Sequence, residues 1–204
     1  MFDRHKIIPQ FCFGCFKVQV QTETVIDLIK LFLIFDNLLL KQNNTRKCII
    51  ELRPQITGFY KGLIYCSSSE QANKIKTNVE RVVRRRIGNG PVVKVKRGCS
   101  EYSLEFPEYE IKNAHDQNIM SYQKSWREVE ETFDINNGLK AIKTNYPTIS
   151  GLNLNDVLII QNWLMYAVAI GDKSAPPMHE INWRRNGVYE QAERRIKFQT
   201  TSQK

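Results

Sequence analysis

Residues 67–88 constrain the fold more than any other part of this chain. Ala72, Ile75, Val79, Val82 and Val83 recur there at helical spacing, which gives one apolar stripe wide enough to pack against a layer of other structure. Ser67 followed by Glu70 has the form of a capping box, and Gly88 supplies a stop signal. The spacing therefore predicts an amphipathic helix over 67–88. Such a helix needs a partner surface, and the flanking segments supply one. Phe16, Val18 and Val20 alternate with Lys17, Gln19 and Gln21; residues 46–53 alternate Cys48, Ile50 and Leu52 with Ile49, Glu51 and Arg53; and 92–97 alternate Val93 and Val95 with Lys94 and Lys96. This period of two is that of strands with one face buried. Residues 59–66, FYKGLIYC, are rich in strand-forming side chains. A second helix is expected from Thr24, an N-cap with Asp27 three residues on, to about Phe35, apolar around most of its circumference.

In chain order these segments are strand, helix, strand, strand, helix, strand. That order resembles the ferredoxin-like split βαβ architecture, an α+β sandwich in which a four-stranded antiparallel sheet carries two helices on one face. The resemblance implies such a domain over residues 1–110. A helical region is expected over 118–204, from a cap at Ser125 and Glu128 before Trp126, Val129 and Phe133, and from a run starting near Asn155 and ending near Gly171. Pro176 and Pro177 interrupt that region, and 188–198 form a last amphipathic segment. After Gly98 the parity shifts, so that Tyr102, Leu104 and Phe106 alternate with Glu101, Ser103 and Glu105. A turn or bulge is expected at Gly98, followed by extended chain.

Length and charge narrow the classes. The 204 residues are 42% hydrophobic, enough to bury a core, so disorder throughout is excluded. The most apolar stretch, 25–40, contains Asp27, Lys30 and Asp36 and is too short and too charged to cross a bilayer. Five cysteines with no secretory start lead to the expectation of reduced thiols in a cytoplasmic setting. The formal charge of +9 is concentrated: residues 71–100 hold nine basic side chains against the single acid Glu80.

That concentration points to a polyanion. Lys74, Asn78, Arg81 and Arg85 fall at i, i+4, i+7 and i+11, one stripe opposite the apolar edge of the helix. On the sheet face left open by the helices, the split βαβ arrangement implies Lys17, Gln19, Arg53, Lys61, Tyr65, Lys94 and Lys96. Cations of this kind neutralise phosphates, and an aromatic can stack on a base. RNA or another polyanion is thus the expected partner, with Lys74, Arg81, Arg85, Lys94, Lys96 and Lys61 as phosphate contacts and Tyr65 as the stacking ring. Lys61-Gly62-Leu63-Ile64-Tyr65 resembles the start of the third-strand signature of the RNA-recognition motif, with Leu63 where that family stacks an aromatic.

Other chemistry is sparser. Cys12-Phe13-Gly14-Cys15 has a spacing that chelates zinc or an iron–sulfur cluster. In the implied sheet the end of the last strand meets the start of the first, which would bring Cys99 to Cys12 and Cys15, with His5 as a fourth ligand. The alternative reading is therefore a metal- or cluster-bearing accessory protein. A thioredoxin-like role is disfavoured because the pair precedes a strand instead of opening a helix. A copper-carrying domain of this architecture is disfavoured because its cysteines would follow the first strand. Gln21 and Thr22, and Pro54-Gln55-Ile56-Thr57, stand where a two-metal phosphoryl transferase of this architecture places acids. There is no P-loop, dinucleotide fingerprint or GxSxG. His115 and His179 have no patterned partner. An enzyme would need a pocket between the sandwich and the C-terminal helices, where Asn162, Trp163 and Tyr166, or Trp183-Arg184-Arg185, could line it.

Overall fold

The computed structural model describes residues 2–109, 120–137, 152–175 and 194–196. It is a mixed α/β structure: a four-stranded antiparallel open sheet with six helices among the described residues. The strands are β1 (Phe16–Thr22), β2 (Arg46–Ile50), β3 (Tyr60–Cys66) and β4 (Val92–Arg97), in the order β2-β3-β1-β4. Phe16 pairs with Cys66 on one side and Arg97 on the other, so the start of β1 meets the ends of β3 and β4.

Two helices cover one face. Helix α1 (Val25–Asn37) starts where the Thr24 hydroxyl accepts from the Asp27 amide at 3.1 Å. Helix α2 (Ser69–Arg86) is capped by Ser68, whose hydroxyl accepts from the Gln71 amide, so the helix begins one residue later than the Ser67–Glu70 pattern predicts. Val18, Val20, Ile64 and Cys66 from the sheet, Leu31 and Phe35 from α1, and Ala72, Val79 and Val83 from α2 form the main core. Gly62 makes the close approach possible. A Cβ there would lie 2.6 Å from Leu31 and 2.8 Å from Phe35, so the glycine that resembles part of an RNA-binding signature faces the helices and serves packing.

The chain after β4 departs from the sequence expectation. Gly98, at φ +53°, does turn the chain, but Ser100–Glu105 then form a short helix, α3, and not an extended segment. Tyr102 is buried and Phe106 packs beside it, while Leu104 is 51% exposed. Positions 102 and 106 satisfy a helical turn as well as a period of two; tertiary packing chose the helix.

Helices α4 (Arg127–Asn137) and α5 (Leu154–Ala169) belong to the later part of the chain. Asn153 and Asp156 form a reciprocal capping box at the start of α5. Trp163, Ala167 and Ala175 pack on Val25, Leu28 and Tyr60, filling the space between α5 and the sandwich with apolar side chains. Asp172 fastens this joint through the Val25 amide and the Tyr60 hydroxyl. At the other end, Met120 and Trp126 join Ile7, Ile8, Cys12, Tyr102 and Tyr109. There the buried guanidinium of Arg97 donates to the Phe13 carbonyl at 2.9 and 3.0 Å and to the Met120 carbonyl at 3.5 Å, between the rings of Phe13 and Tyr109. The residues after 118 thus touch the sandwich at two separate places. The polar stretch 112–117, the Pro176-Pro177 break and most of the 188–198 segment lie outside the described residues.

Candidate functional site

The basic stripe of α2 lies where its spacing predicts. Asn78 and Arg81 lie side by side, with the guanidinium donating to the Asn78 side-chain oxygen Oδ1 at 2.9 Å, and Arg81, Arg84, Arg85 and Arg86 are all exposed. Positive charge in the last turn of a helix is favoured by the helix dipole, which accounts for the helix tolerating three consecutive arginines. Lys74 is exposed and pairs with Glu70 at 2.7 Å, a contact of little energetic weight in water. A cavity of about 420 Å³ opens among Thr77, Glu80, Arg81, Arg84 and Arg85. Another, of about 590 Å³, runs between the ends of α1 and α2, where Arg85 and Arg86 stand beside Leu33, Leu38 and Val82.

The sheet residues assigned to the same surface lie elsewhere. Lys17, Gln19, Lys61, Tyr65, Lys94 and Lys96 share the face turned away from α1 and α2, as the register Lys17↔Tyr65, Lys17↔Lys96 and Gln19↔Lys94 requires. The sheet itself separates them from Arg81 and Arg85, so helix and sheet cations do not make one continuous surface. Nor are they equivalent to one another. Lys61 is only 3% exposed and its ammonium lies 3.4 Å from Glu51, so it does not stand on the outer surface where a nucleic-acid backbone would pass. The Tyr65 ring carries the Lys17 ammonium at 4.9 Å and that of Lys47 at 5.8 Å, cation–π contacts that compete with base stacking. Lys96 donates to the Ser100 hydroxyl at 2.5 Å. Lys94 is exposed.

Around these residues the sheet face is a walled depression. Arg53, on the chain leaving β2, donates to both oxygens of Glu51 at 2.7 and 2.9 Å and to Glu101 of α3 at 2.7 Å. Burial would raise the Glu51 carboxyl, but the bonds from Arg53 and the charge of Lys61 outweigh it and hold the group at about 2. Glu101 is lowered by the same balance of burial against Arg53. Burial lowers Lys61. Lys17, 3% exposed, is pushed down by burial but ends above its ordinary value, because its ammonium contacts the Cys99 sulfur at 2.7 Å. The space within the depression is about 120 Å³. Reading the sequence missed this arrangement: Glu51 alternates with Ile49 and Arg53 but is not among the residues expected on the open face, and Cys99, Ser100 and Glu101 reach it only through α3, whose place no local pattern gives.

The three cysteines singled out earlier do gather at one end of the sheet, where the Gly98 amide donates to the Cys15 carbonyl at 2.8 Å. They do not form a chelating group. Cys12 is buried with its sulfur 3.6 Å from the Tyr102 hydroxyl, and burial pushes its thiol up to about 11. Cys99 faces Lys17, and His5 is exposed with its ring edge toward Phe133. Among the described residues no three His, Cys, Asp or Glu side chains are placed to hold a metal ion. Cys48 and Cys66 sit on β2 and β3, and burial pushes the Cys48 thiol up to about 12. Trp163 is buried with its ring edge against Phe32. His115, His179 and Trp183-Arg184-Arg185 lie outside the described residues.

No protein-family model, curated protein or solved structure matches this chain. No helix among the described residues is long and apolar enough to cross a membrane.

Proposed function

We propose that this chain is a non-catalytic binding protein for RNA or a similar polyanion, built on a ferredoxin-like sandwich and working in a reducing, cytoplasmic compartment. The antiparallel order β2-β3-β1-β4 with α1 and α2 on one face supports the split βαβ reading. Five free cysteines suit a reducing compartment.

One observation carries the binding reading. The apolar edge of α2 is complete in Ala72, Val79 and Val83, so Arg81, Arg84 and Arg85 are not consumed in holding the fold. They stand in water on one side of a helix, within reach of consecutive phosphates, and each phosphate neutralised releases counterions. This narrows the phosphate contacts to the helix: Arg81 and Arg85 at the centre, Arg84 beside them and Lys74 at the far end. Lys94 and Lys96, across the sheet, would meet a different stretch of the ligand.

The test is fluorescence anisotropy of a labelled single-stranded RNA, titrated with protein at several KCl concentrations. Reversing both charges, Arg81→Glu with Arg85→Glu, is expected to weaken binding and to flatten the plot of log affinity against log salt by about 0.7 for each phosphate that is no longer neutralised. An unchanged affinity and slope would reject the assignment.

A further inference from the structure

On the opposite side of the sheet from that helix, folding has removed two ammonium groups from water almost completely. Lys17 and Lys61 are each 3% exposed, and a buried charge is costly unless matched. The matching is incomplete. Lys61 has a single carboxylate oxygen, Glu51 Oε2 at 3.4 Å, and both oxygens of that carboxylate are already bonded by Arg53. Lys17 touches a thiol and an aromatic ring but has no carboxylate within ion-pair distance among the described residues.

Between them on β1 lies Gln19, 4% exposed as a residue, whose side-chain amide lines the depression and makes no hydrogen bond among the described residues. All three side chains line the same depression, a space of about 120 Å³, well above the roughly 10–15 Å³ that one water molecule needs. Its wall holds five cationic side chains against only Glu51 and Glu101, and Arg53 is bonded to both of these.

We infer that this cavity is a binding site for a phosphate-sized oxyanion, held by the ammonium groups of Lys17 and Lys61 and by the amide nitrogen of Gln19. A tetrahedral dianion matches two ammonium charges where one carboxylate matches one, so phosphate or the phosphoryl group of a small metabolite is the ligand class. Lys96 and Ser100, bonded to each other at the rim, border the entrance from the side of β4. The site is independent of the polyanion surface on α2, which the sheet separates from it.

The experiment is isothermal titration calorimetry of the full chain with inorganic phosphate and, in parallel, with glycerol 3-phosphate, against chloride at matched ionic strength. Saturable one-to-one binding is expected with phosphate, and tighter binding of glycerol 3-phosphate would mark the group as carried by a small molecule. Gln19→Leu is expected to weaken binding by about tenfold or more, the loss of one bond to a charged group. Lys17→Met is expected to remove it. Circular dichroism checks that each variant folds; if Lys17→Met does not, Gln19→Leu decides. The Arg81→Glu, Arg85→Glu variant is expected to bind phosphate as the parent does, which separates this inference from the RNA reading. Absence of saturable binding to either ligand overturns it, as does binding that survives Gln19→Leu unchanged or disappears with the two α2 arginines.

Discussion

Replacing Asp172 tests whether the C-terminal helices are part of the fold or an appendage. One oxygen of its carboxylate accepts from the Val25 amide at 2.7 Å and the Tyr60 hydroxyl at 2.8 Å; the other accepts from the Ser174 amide at 2.9 Å and the Ser174 hydroxyl at 2.8 Å. Val25 is the first residue of α1, so the carboxylate also lies at the positive end of that helix. Asp172→Ala leaves the Tyr60 hydroxyl, on a residue only 1% exposed, and the Val25 amide without their acceptor. At about 1–3 kcal/mol for each of the two unsatisfied groups, and about 0.5–1 kcal/mol for the helix dipole, the expected loss is about 3–7 kcal/mol. Asp172→Asn keeps an acceptor oxygen and loses the charge, for an expected loss of about 1–2 kcal/mol. Urea unfolding followed by tryptophan fluorescence measures both, as a lower midpoint at constant slope.

Acidity supplies a second reading of the same joint. Burial would raise the Asp172 carboxyl, but its four bonds outweigh that and set it below its ordinary value of 3.8. A lowered folded value means that the contribution is fully present above 3.8 and is lost as pH falls through the folded value. The gap between parent and Asp172→Asn should therefore close below that pH. A midpoint for Asp172→Ala within about 0.5 kcal/mol of the parent, the range of an ordinary surface change, would refute the reasoning.

Two further substitutions have definite signs. Glu51→Gln leaves Lys61 buried without its anion and should cost about 3 kcal/mol in urea unfolding. Because Glu51 is held at about 2 against an ordinary 4.5, its contribution should be fully present above 4.5 and be lost as pH falls from there through the folded value, and a variant as stable as the parent at pH 7 would contradict the network. Gly98→Ala places a Cβ 1.9 Å from the Tyr109 hydroxyl oxygen at a backbone φ of +53°. It should cost about 2 kcal/mol or more by thermal or urea unfolding, and a loss below about 0.5 kcal/mol would show that the turn accommodates a side chain.

What could be read from the sequence was set by period. Strands β1, β2 and β4 and helix α2 were legible because alternation and a 3.6-residue stripe each exclude the other over enough residues, and β3 because its side chains are strand-formers. Helix α3 was not, since Tyr102 and Phe106 are four apart and fit both periods; only packing against Tyr109 and Ile7 decides between them. The arginines of α2 were legible as an exposed stripe because the helix itself fixes their spacing. The sheet lysines were legible as residues of one face but not as buried ones. Burial of Lys61 depends on register, which sets Ile49 opposite Lys61 and so delivers Glu51 to its side, and on α3, which walls the depression. Asp172 carried no local signal, since its partners Val25 and Tyr60 are more than a hundred residues away in the chain.

The two joints that tie the later helices to the sandwich answer differently to protons. A guanidinium retains its charge throughout the pH range in which proteins fold, and the clasp around Arg97 is made of carbonyls and rings that do not titrate in acid. The joint at Asp172 depends on a group that does. Acid thus acts on the α5 joint directly through Asp172, while the hydrogen bonds of the Arg97 clasp offer it no carboxylate.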